Sequence, residues 1–199
     1  MPVEVVSYML SNKDAKQRLQ AQLILQCAPF LKQIKAACIM NVKRQQCFLL
    51  ESILQGTDIL YWILVTRKDK CLVFFYRKEQ FAAYLEQEEV KNFLKTYGYQ
   101  DLDNVEAFIE RLSNRIEEYS AEDVEFPHEI GAFLDYPIRD VESFIQNKGK
   151  NSLMSGYWKV YHEPMKAQII FQAYDHARSC AVNEFLSGNP FKQIARIYG

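Results

Sequence analysis

Apolar positions recur at a helical period along much of this chain. Ser11 can cap a helix, with Asp14 three residues on, and Leu19, Leu23, Ile24 and Cys27 then fall on one side. Pro29 bends or ends that helix. A short extended piece at 37–42 follows. Residues 43–55 read as helix, with Cys47, Leu50, Ile53 and Leu54 on a stripe and Gly56 as the stop. The period then changes. Residues 59–66 and 71–77 are rich in β-branched and aromatic side chains, and the polar Arg67-Lys68-Asp69-Lys70 joins them. That is a β-hairpin. Both strands are apolar at nearly every position, which predicts helices on both faces.

Residues 80–97 read as one broken helix or two, ending at Gly98. Asp103 with Glu106 resembles a capping box. Behind it Val105, Phe108, Ile109, Leu112, Ile116 and Tyr119 form a helical stripe. Two short helices follow at 127–135 and 137–148, then a strand at 157–162. Pro164 opens a long helix with Ala167, Ile170, Phe171, Tyr174, Ala177, Ala181 and Phe185 inward, stopped by Gly188. A last short helix is expected at 190–198. The fold class is α+β: a mostly helical single domain, residues 1–199, around a small sheet containing an antiparallel hairpin at about 59–77.

Composition agrees with a packed interior. Apolar residues make up 49% of the chain, with 13 Phe and 12 Tyr, which argues against disorder. The net charge of −1 excludes a uniformly basic nucleic-acid binder, but the charge is unevenly spread. From Lys13 to Arg44 there are seven Lys or Arg and one acid, whereas Glu117 to Glu142 holds nine acids and one base. Solvated faces are the plain explanation, and an anion-attracting basic patch near the start is the sharper one. The five cysteines are odd in number and widely spaced, so neither a disulfide framework nor a zinc pattern is expected. They suit a reducing cytoplasm. No basic and apolar leader opens the sequence, and the longest apolar run, Ile59 to Val65, is too short for a bilayer.

The most distinctive segment is Phe126-Pro127-His128-Glu129-Ile130-Gly131-Ala132-Phe133-Leu134-Asp135-Tyr136-Pro137. It places one of three histidines at a proline-framed helix start. Together with Cys27-Ala28-Pro29-Phe30-Leu31…Lys35 and Trp158-Lys159-Val160-Tyr161, it resembles an uncharacterised family of clostridia-like anaerobic bacteria, of unknown function. The resemblance covers nearly the whole chain. It implies Gly where this chain has Asp135, a departure that bears on the turn between two helices. It implies no substrate, reaction or cofactor.

Four chemistries can be weighed on the residues. A thiol enzyme would pair Cys27 with His128, with Glu129 or Glu125 orienting the ring. Against it, Cys27 sits on an apolar stripe, where cysteine fills core. A metal site is not expected, because the position four after His128 is Ala132 and not a second His. The helices at 127–148 have the apolar spacing of a helix-turn-helix, but the second would expose Asp140 and Glu142, and acids precede the first. That field repels phosphate, so nucleic acid is disfavoured. The preferred reading gathers Lys35, Arg77, His128, Glu129, Trp158, Lys159 and Tyr161 as a site for a small anionic or planar metabolite, with His128 donating under the dipole of its helix. The expected role is a non-catalytic ligand-binding or accessory protein; the alternatives are a Cys/His thiol enzyme and a helix-turn-helix binder. An uncovered hairpin edge offers a homodimer contact.

Overall fold

The computed structural model describes residues 3–100, 104–121 and 126–196. The chain divides into two compact units, residues 1–76 with 173–199, and residues 77–172. Helices dominate both, with a small antiparallel sheet in each, so the α+β expectation holds. Among the described residues no helix is long and apolar enough to cross a membrane.

The first unit begins with α1 (Val3–Leu10) and α2 (Ala15–Leu31). The cap of α2 is Asp14 and not Ser11. Its Oδ1 accepts from the Lys16 and Gln17 backbone N–H groups at 2.7 and 3.0 Å, the orphan donors that a short acidic side chain satisfies best. Ser11 instead closes α1 by donating its hydroxyl to the Tyr8 carbonyl at 2.8 Å. Pro29 is accommodated inside the last turn of α2. Next come β1 (Ala37–Lys43), a 3-10 turn at Arg44–Gln46 and α3 (Leu49–Leu54), so the helix expected over 43–55 is broken in two.

Then β2 (Leu60–Arg67) and β3 (Lys70–Tyr76) form the hairpin, in the sheet order β1-β3-β2. The central strand is β3, with Cys38 and Tyr61 both opposite Phe75, and a bulge at Leu64 interrupts the β2 register. Covering of both faces applies to β3 alone. The edge strand β2 is largely accessible, with Leu60 43% and Ile63 39% exposed. The unit closes with the later part of α9 (Pro164–Leu186) and with α10 (Phe191–Ile194). Leu19, Leu23, Cys27, Met40, Val73 and Ile194 share its core.

The second unit carries α4 (Lys78–Leu85), α5 (Glu88–Thr96) and α6 (Val105–Ala121). The expected Asp103 cap lies outside the described residues. Asn104 Oδ1 accepts from the Ala107 N–H at 2.9 Å, and Glu106 pairs with Lys78 at 2.9 Å. The stripe of α6 is buried at Val105, Ile109, Leu112 and Ile116, as its period requires. The chain continues through α7 (Ile130–Phe133), α8 (Ile138–Gln146), β4 (Met154–Ser155) and β5 (Lys159–Val160) into the first turns of α9. The strands form a tight hairpin, Met154 opposite Val160 and Ser155 opposite Lys159. At the centre of this unit Phe133 contacts Tyr99 and Phe81, with ring centroids 5.2 and 6.2 Å apart.

Candidate functional site

The turn between α7 and α8 sets the geometry of the site. Asp135 lies in the left-handed region at φ +58°, where a residue without a Cβ is least strained. The chain reverses there, and α8 folds back on α7 so closely that a Cβ on Gly131 would stand 2.9 Å from Val141 Cγ2. Gly131 therefore permits the crossing, and the crossing brings Phe144 of α8 beside His128, ring centroids 5.1 Å apart.

One side chain then fastens the β4–β5 hairpin to α8. Asp140, in the first turn of α8, is 3% exposed. Its Oδ2 accepts from the Trp158 indole N–H at 2.7 Å, and its Oδ1 accepts from the backbone N–H groups of Tyr161 and His162 at 3.0 and 2.9 Å. The sequence expectation that α8 exposes Asp140 is thus corrected: the carboxylate is turned inward and bonded by three donors. Trp158, so held, packs edge-on against Phe171 at 4.6 Å and leans on Tyr136 at 5.6 Å. Gly156 lets the Phe171 ring in, since a Cβ there would meet Phe171 Cε2 at 2.2 Å.

These contacts leave a pocket of about 420 Å³. Its walls are rings, from Phe126, His128, Tyr136, Phe144 and Trp158; its polar groups come from Asp140, Ser155 and Lys159. His128 is half-buried, flanked by Phe126 at 5.3 Å and Phe144. Its backbone is bonded on both sides, the N–H donating to the Phe126 carbonyl and the carbonyl accepting from the Gly131 N–H; its ring nitrogens have no hydrogen-bond partner among the described residues. Lys159 donates from Nζ to the Gly149 carbonyl and lies 5.9 Å from the Phe144 ring centre. Burial raises the Tyr136 phenol above its ordinary value, so it stays protonated.

Of the expected site residues, His128, Trp158 and Lys159 share this wall. Glu129 does not line it. It is fully buried, ion-paired with Arg115 and accepting from the Tyr99 hydroxyl at 3.2 Å. That pair anchors the turn carrying His128 to α6, and burial beside Glu129 drives the Tyr99 phenol far upward. Tyr161 contributes its backbone to Asp140. Arg77 is buried at the head of α4. Lys35 belongs to the first unit, where its ammonium lies 5.8 Å from the Tyr174 ring centre. Cys27 also belongs to the first unit and is 1% exposed in its core. Glu125 lies outside the described residues. The dipole expected at His128 is small, because α7 is a single turn.

Two side-chain pairs lie outside the expected set. Ser143 Oγ and His162 Nε2 are 2.9 Å apart, and Cys180 Sγ lies 3.5 Å from His176 Nδ1 one turn away on α9. Among the described residues no three His, Cys, Asp or Glu side chains cluster as a metal site. The role of Asp140 carries no local sequence signal, since its partners are 18 to 22 residues away. Phe126, Gly131 and Tyr136 were visible as parts of the distinctive segment.

Residues 23–195 fit the family described as protein of unknown function (DUF3793). No curated protein and no solved structure matches the chain.

Proposed function

We propose that this chain, which belongs to the DUF3793 family, is a non-catalytic binding protein that holds a small planar molecule in the pocket around His128. The observation that carries this reading is the ring-walled pocket itself, with Trp158 locked by Asp140 and His128 locked by the Glu129–Arg115 anchor beside it. Pre-set aromatic walls with a few polar groups are what a small flat ligand needs, because little ordering entropy remains to be lost on binding. A binding role fits better than catalysis. The Ser143–His162 pair is not among the lining residues, and Cys27 fills core in the other unit. The five free thiols suit a reducing cytoplasm.

The test is a thermal-shift screen with nucleotides, phosphorylated metabolites, flavins and simple aromatic acids, run on the natural chain and on Ser155→Trp, which fills the pocket. Stabilisation by a planar compound that Ser155→Trp abolishes is the expected result. No stabilisation by any compound, or stabilisation that survives in Ser155→Trp, overturns the reading.

A further inference from the structure

The polar groups of the pocket are not equivalent, and their inequality defines the ligand's charge. Asp140 is the only acid in the described lining, and its two oxygens already take three donors, from the Trp158 indole and the Tyr161 and His162 backbone. A cationic ligand would find that carboxylate largely spent. The remaining capacity is of the opposite kind. Lys159 uses one of its three N–H donors on Gly149 and has two left. Ser155 Oγ and the His128 ring make no side-chain hydrogen bond to the described residues, so both can donate. Lys159 and His128 also approach the same ring, Phe144, at 5.9 and 5.1 Å.

Resting on the reading of this pocket as a binding site, we infer that its ligand is an aromatic monocarboxylate: the ring system lies among Trp158, Tyr136 and Phe144, and the carboxylate accepts from Lys159 and His128. One ammonium matches one negative charge. A phosphate dianion would bring a second charge into a wall made mostly of rings, where desolvation is not repaid. The pocket's size accommodates one or two fused rings with a short acidic arm.

The experiment is calorimetric titration with four probes on one ring system: naphthoate, naphthamide, naphthylmethylammonium and naphthyl phosphate. Naphthoate is expected to bind most tightly. In Lys159→Met its affinity falls about tenfold, the loss of one charge-assisted hydrogen bond, while naphthamide binding is unchanged. Lys159→Arg keeps the carboxylate preference, which separates charge from damage to the fold. The inference is overturned if naphthamide or the ammonium compound binds as tightly as naphthoate, if the phosphate binds more tightly, or if Lys159→Met weakens all probes alike. Binding of the neutral probe that Ser155→Trp abolishes would leave the planar-ligand reading standing and remove only the acid. Binding of no probe removes the acid too, and the wider thermal-shift screen then decides the pocket.

Discussion

Trp158 donates its indole N–H to Asp140 across 2.7 Å, and through that bond the β4–β5 hairpin is fixed to the start of α8. The same carboxylate satisfies two backbone N–H groups just beyond β5. The back of the pocket therefore depends on one buried acid. Asp140→Ala leaves three donors without an acceptor, and the expected loss of stability is about 3 kcal/mol. Asp140→Asn keeps one acceptor oxygen and loses less. Urea denaturation of both variants checks this; equal stability of Asp140→Ala and the natural chain would contradict it.

The α7–α8 turn makes a second prediction. Asp135 holds a backbone conformation that favours Gly. Asp135→Gly is expected to be neutral to about 1 kcal/mol more stable, and Asp135→Val at least about 1 kcal/mol less stable. Melting temperatures in that order, with the pocket's ligand response unchanged, are the expected outcome.

Thiol labelling separates the cysteines. Cys27, Cys38 and Cys71 are buried, and Cys47 and Cys180 are partly exposed. Burial and the neighbouring Cys71 push the Cys47 thiol up to about 11, so little thiolate forms near neutrality. Cys180 has His176 within 3.5 Å. The expected order of iodoacetamide alkylation, read by peptide mass spectrometry, is Cys180, then Cys47, then the buried three. Fast selective labelling of Cys27 would instead revive the thiol-enzyme reading.

Alkaline pH tests the buried phenols. Folding raises both Tyr99 and Tyr136 above the ordinary tyrosine value of 10.0, chiefly by burial. The unfolded chain thus releases these protons first, and binds fewer protons than the native state as pH rises. Stability is full below pH 10 and falls above it, by about 1.4 kcal/mol per pH unit for each phenol held protonated. Tyr99→Phe is expected to be less stable at neutral pH, having lost its bond to Glu129, and to show a shallower alkaline decline.

Periodicity and turn chemistry carried most of the elements. The α6 stripe from Val105 to Ile116 is buried as its spacing requires, and the 59–77 hairpin pairs across a polar turn. What was illegible is non-local. The apolar run of β2 reads as a covered strand, yet nothing in the run says that β1 pairs with β3 and leaves β2 at an edge. Asp140 looks like a surface acid because its three donors lie 18 to 22 residues on, in the next hairpin and just after it. Glu129 looks like a ligand group beside His128, but Arg115 and Tyr99 claim it from α6 and the segment before it. The pocket residues that the sequence did mark, His128 and Trp158-Lys159, stood out because rings and donors there interrupt otherwise ordinary helical and strand patterns.

Binding of planar compounds in the His128 pocket can be read against an internal control that the chain itself supplies. It has two tryptophans, Trp158 in the pocket wall and Trp62 in β2 of the other unit. The most direct measurement follows both indole N–H signals by heteronuclear NMR while an aromatic ligand from the thermal-shift screen is titrated. A saturating shift of the Trp158 signal is expected, with the Trp62 signal fixed. A shift of Trp62 alone, or binding that leaves Trp158 unmoved, would contradict it.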